Sequence, residues 1–99
     1  METTLLEKHK RDFLNLGKGM AAFEYSIDAG KYEGSKKVYI NGSFCISDCS
    51  RKVSLDFDTY DEEDRKNTMY KIDTLINALV EYREYMIEAH ELQRAEGQE

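Results

Sequence analysis

Two histidines, two cysteines and a dense run of carboxylates are the side chains of this sequence whose types could do chemistry. Nucleophilic catalysis needs a nucleophile aligned with a base. His9 lies among lysines and His90 lies in the last ten residues, so neither suggests a Ser–His or Cys–His arrangement. Cys45 and Cys49 form a C-x3-C pair without the paired histidines that would complete a zinc site, and read as small packed or edge thiols. Asp56-Phe57-Asp58 opens like a calcium loop but lacks its glycine and its spaced third ligand. Gly17-Lys18-Gly19 lacks the remaining spacing of a phosphate loop, and Lys8, Lys10 and Arg11 are too short a basic cluster for duplex binding. The expectation is a protein that is not an enzyme and that uses no cofactor and no metal.

The acids are better placed for binding. Residues 1–58 hold nine acids and nine bases, whereas residues 59–99 hold eleven acids and five bases, so the whole net charge of −6 sits in the last two-fifths of the chain. On a helix, Asp73, Glu81, Glu84, Glu88 and Glu91 fall within about 80° of one another, with Tyr70 and Tyr85 on or beside that face. A charged face is commonly just a solvated one, and acids near a helix start favour its dipole. Like charges at i+4 cost helix stability, however, and a row of them suits a surface that imitates a polyanion or meets a basic patch. Tyr70, Asp73, Glu81, Glu84, Tyr85, Glu88 and Glu91 are therefore the candidate partner-binding residues.

The elements that carry these residues follow from spacing. Thr4-Leu5-Leu6-Glu7 has the form of a capping box, and Leu5, His9, Phe13 and Leu16 recur at helical intervals, predicting a short helix over 5–16 that stops at Gly17. Phe23, Tyr25 and Ile27 alternate with polar residues, as do Val53, Leu55 and Phe57, which predicts two strands. Asn41-Gly42 between two β-rich runs is a hairpin signal, and a three-residue turn with Gly42 left-handed would set Val38 opposite Phe44. The opposite face would carry Glu24, Ser26, Lys37, Tyr39, Cys45, Ser54 and Asp56.

A second capping box, Thr59-Tyr60-Asp61-Glu62, precedes a long helix with Met69, Ile72, Leu75, Ile76, Leu79, Tyr82, Met86 and Ile87 on one side. Arg83 and His90 interrupt that apolar side and need partners: either Arg83 snorkels past the sheet edge or pairs with a carboxylate of its own chain, or this half of the helix joins a target or a second copy in a homo-oligomer through the long C-terminal helix. The fold class expected is α+β: a two-layer single domain over 1–99, with a short N-terminal helix, a four-stranded mainly antiparallel sheet, the long C-terminal helix packed on one face, and a polar tail at about 94–99. No apolar run of about 18 residues and no secretory h-region occurs, and two cysteines make no disulfide framework, so a cytoplasmic protein without a membrane or nucleic-acid partner is expected.

In size, charge and lack of a catalytic constellation the chain resembles the small virus-encoded inhibitors of host defence, anti-CRISPR proteins and DNA mimics among them. That likeness implies a stoichiometric inhibitor or modulator of a larger basic or nucleic-acid-handling protein, acting in a host cytoplasm, and carries no functional residue across. A different class of function is an oligomer that sequesters a small nucleotide-type ligand with Lys36, Lys37, Arg51, Lys52 and Arg83. A third is an enzyme whose carboxylates do acid–base work without any motif.

Overall fold

The computed structural model describes residues 2–17 and 19–97. Four strands, β1 (Glu2–Phe13), β2 (Ala22–Tyr32), β3 (Tyr39–Asp48) and β4 (Arg51–Asp56), form one antiparallel sheet in sequential order, and one helix, α1 (Glu62–Ala95), follows. The fold is α+β. Two compact units divide it, one reaching to Thr68 and the other starting at Met69.

The expected helix over 5–16 is instead strand β1, paired with β2 from Glu2↔Tyr32 to Phe13↔Ala22 with a register shift between Thr4 and Leu6. Residues four apart share a side in a strand as they do in a helix, so the spacing of Leu5, His9 and Phe13 fits both. Thr3 and Thr4 are β-branched and prefer the pleated surface. Gly17 has φ 79° and turns the β1–β2 connection rather than ending a helix. Within that connection Leu14 donates its amide to the Ala21 carbonyl at 2.8 Å, and Asn15 Oδ1 accepts the Ala21 amide at 2.6 Å.

Asn41-Gly42 is not a turn either. Both residues lie inside β3, where Asn41 pairs with Asp28 and Gly42 with Ile27. The glycine is needed for close approach: a Cβ there would stand 3.2 Å from Phe57 Cβ. The Phe57 amide donates to the Gly42 carbonyl at 2.9 Å, and the Gly42 amide donates to Asp58 Oδ1 at 2.9 Å, so the chain leaving β4 keeps running beside β3 as far as Thr59. Val38 lies in the β2–β3 connection, 43% exposed, while Phe44 faces Tyr25 and Leu55. The tight turn between strands is Cys49-Ser50, closed by the Asp48↔Arg51 pair, with Cys49 left-handed at φ 58°.

The register gathers Phe23, Tyr25, Ile27, Phe44, Ile46, Val53 and Leu55 on one side of the sheet, as the alternation predicts. Stacked rings of Phe23, Tyr25 and Phe44 lie 5.9 to 6.2 Å apart, and Lys10 Nζ from β1 reaches to 6.0 Å from the Phe23 ring. Glu24, Ser26, Tyr39, Cys45, Ser54 and Asp56 take the other side; Lys37 falls in the β2–β3 connection instead. This apolar side is open: the buried apolar residues among those described are Ala21, Ala22 and Ala29, and Val53 is 61% exposed. The helix has no buried residue, and Leu79 stays 63% exposed. Of the expected tail, residues 94 and 95 end the helix and Gly97 turns with φ 77°, while residues 98 and 99 lie outside the described residues.

The helix start is capped two residues later than the Thr59 box predicts. Thr59 is buried and exchanges backbone hydrogen bonds with Ile40, which takes it out of capping. Asp61 Oδ1 accepts the Asp64 amide at 2.8 Å and Asp64 Oδ2 accepts the Tyr60 amide at 3.0 Å, with Glu62, Glu63 and Asp64 placing negative charge at the positive end of the helix dipole. Asp61→Ala is expected to lower stability by about 0.5–2 kcal/mol. Urea unfolding followed by helix ellipticity checks this, and an unchanged midpoint would contradict the cap.

Candidate protein interface

The helix converts sequence spacing into a ridge. Glu81, Glu84, Glu88 and Glu91 follow one another at three, four and three residues, the spacing that keeps side chains on one face over about 15 Å of axis. Asp73 lies eight residues before Glu81, and Tyr70 lies three before Asp73. Tyr85 stands one turn after Glu81 and three residues before Glu88. All seven candidate residues are exposed, Tyr70 at 74% and Tyr85 at 63%. The ion pair recorded within the described helix is Arg65–Glu62 at 3.3 Å, near the helix start, and none of the four glutamates of the ridge pairs with a described cation. Arg83 and His90 are exposed as well.

The other acidic cluster is committed to the chain's own backbone. Asp56 Oδ1 accepts the Asp58 amide at 2.8 Å, Asp58 accepts the Gly42 amide, Asp61 caps the helix, Asp64 accepts the Tyr60 amide, and Glu62 pairs with Arg65. Five of the six carboxylates between residues 56 and 64 are thus engaged where β4 leads into α1. Among the described residues no group of three or more His, Cys, Asp or Glu side chains is arranged to hold a metal ion.

Lys36 and Lys37 are not brought together with Arg51 and Lys52 within the sheet. Lys36 and Lys37 precede the first residue of β3, whereas Arg51 and Lys52 pair with Asp48 and Ser47 at its other end. The strand between them spans about 30 Å.

On the polar side of the sheet the structure assembles a cluster that the N-terminal helix assignment hides. His9 Nε2 lies 2.9 Å from Glu24 Oε2 across the β1–β2 ladder. Beside this pair Arg11, Cys45, Ser47 and Lys52 line a shallow hollow of about 230 Å³ together with Glu24. The hydrogen bond from His9, reinforced by the nearby positive charge of His9, Arg11 and Lys52, holds the Glu24 carboxyl below its ordinary value of 4.5. Alternation marks Glu24 and Cys45 as polar-side residues; His9 and Arg11 become visible there only once β1 is a strand.

At the strand ends, the Tyr39 hydroxyl donates to Glu2 Oε2 at 2.9 Å, and its ring lies 5.3 Å from Tyr32. Losing the proton would place a phenolate against that carboxylate, which pushes the Tyr39 ionisation up to about 12.

No protein-family model, no curated protein and no solved structure matches this chain.

Two titrations follow from these contacts. A depressed carboxyl favours the folded state above the ordinary carboxylate range, and that contribution is lost as pH falls through the lowered value. Carbon-detected NMR of Glu24 is expected to show a midpoint below 4.5 that rises in His9→Ala; an unmoved midpoint would contradict the pairing. Tyr39 is expected to ionise near pH 12 and to move down toward an ordinary tyrosine in Glu2→Gln, followed by its ring carbon shift. A Tyr39 midpoint that does not move would contradict the Glu2 contact.

Proposed function

We propose that this chain is a non-catalytic, acidic interaction protein, a stoichiometric inhibitor or modulator of a larger protein with a basic, nucleic-acid-handling surface. The observation that supports the reading best is the exposed, unneutralised ridge Glu81–Glu84–Glu88–Glu91 with Tyr85 set between its members. Repulsion along such a ridge works against the helix and becomes attraction when a cationic surface arrives. Tyr70 and Tyr85 add amphipathic rings that can be desolvated among the charges, the usual composition of binding hot spots. The reading places the protein in the cytoplasm, in keeping with the general character of small virus-encoded inhibitors of host defence. No helix among the described residues is long and apolar enough to cross a membrane. Self-association through α1 belongs to the same reading.

Charge reversal tests it. Glu81, Glu84 and Glu88 replaced together by lysine should leave the fold intact, because all three are solvent-exposed and their mutual repulsion is relieved. Proteins retained from a cell lysate by the parent chain are expected to be lost from this triple variant. They should also be lost from the parent as salt rises from about 0.05 to 0.5 M, a range over which exposed charges become screened. Tyr85→Ala is expected to shorten residence time with little change in association rate. Retention that is indifferent to charge reversal and to salt would reject the acidic ridge as the binding surface.

A further inference from the structure

From Ile72 the helix carries Ile72, Leu75, Leu79, Tyr82, Met86 and Ala89 at alternating intervals of three and four residues. This is the a/d pattern of a heptad repeat, six consecutive positions long. The frame explains the two polar residues that interrupt the apolar side: Arg83 and His90 both fall at e, the position that flanks a seam rather than fills it. Met69 and Ile76 hold the earlier e positions, and Lys71, Ala78, Tyr85 and Leu92 hold g. Every carboxylate between residues 65 and 95, namely Asp73, Glu81, Glu84, Glu88 and Glu91, lies at b, c or f. The seam is left open: Leu79 and Tyr82 are each 63% exposed, Leu75 39% and Met86 37%.

We infer that α1 pairs with the α1 of a second copy of this chain along the seam from Ile72 to Ala89, giving a two-stranded coiled coil. This deepens the self-association named above and rests on that part of the reading. A helix of this kind gains most of its stability by packing an apolar face. From Leu79 onward Arg83 and His90 make the e positions polar, so the apolar stripe keeps to a and d with Tyr85 and Leu92 beside it at g. The heptad spacing is what points to a second copy, and the flanking positions, which carry Lys71, Arg83 and His90, set no carboxylates against one another. The chain carries net charge −6, yet no acid between residues 65 and 95 stands at a, d, e or g, so two copies can meet without opposing carboxylates across the seam. A two-fold pair is also self-complementary, since each copy offers the same surface. The pairing leaves Glu81, Glu84, Glu88 and Glu91 pointing outward, so a dimer presents two acidic ridges.

Analytical ultracentrifugation of the full chain at 1–100 μM tests the pairing. The expected mass is twice the 11.5 kDa of the chain. Leu79→Lys, at a seam position, is expected to weaken association at least tenfold. Val80→Lys, one residue away at an equally open position (56% exposed) but off the seam, is expected to leave the dimer mass unchanged. The triple lysine variant of the ridge is likewise expected to stay dimeric, which separates failure of the pairing from failure of the proposed function. A monomer mass throughout, a mass above two chains, or equal responses to Leu79→Lys and Val80→Lys would overturn the inference.

Discussion

The pairing of β2 with β3 is the constraint on which the sheet depends. β2 is hydrogen-bonded to β1 on one side and to β3 on the other, and its register with β3 stacks Tyr25 against Phe44 and places Phe23 opposite Ile46. A slip of one residue would exchange Phe23, Tyr25 and Ile27 for Glu24, Ser26 and Asp28 on the aromatic side. The same register sets Ile27 beside Gly42, and Gly42 gives Phe57 its room. From Phe57 the chain continues along β3 to Thr59 and then turns into α1, so the start of the helix is positioned by contacts that begin in the sheet.

Burial contributes little in this fold. No described side chain of any size is fully buried, and alanines make up the buried apolar set. Cross-strand pairs and backbone hydrogen bonds therefore carry more of the sheet's cohesion than a packed interior does. The apolar side of the sheet and the apolar positions of the helix each include large exposed side chains, Val53 and Leu79 among them.

Alternation made β2 and β4 legible, because one side of each strand is apolar and the other polar, and the long run without glycine or proline made α1 legible. The acidic row was legible for the same reason: helical spacing alone places Glu81, Glu84, Glu88 and Glu91 together. β1 was not, since intervals of four suit a strand as well as a helix and its charged residues hide any alternation. Asn41-Gly42 misled because a glycine needed for close approach looks like a glycine needed for a turn, and the turn itself fell on Cys49-Ser50, where a non-glycine residue takes φ 58°. The His9–Glu24 cluster was out of reach for a topological reason, as its partners come from strands fifteen residues apart in the chain.

The acids divide between two tasks. Carboxylates from Asp56 to Asp64 hold backbone amides and the start of the helix, whereas those from Asp73 to Glu91 hold nothing within the described chain and face solvent. That second group is the surface proposed for a cationic partner. Its most direct test is the association rate of the captured partner as a function of ionic strength, measured by surface plasmon resonance. A rate that falls steeply with added salt, while the dissociation rate changes little, is the result expected; an association rate independent of salt would contradict it.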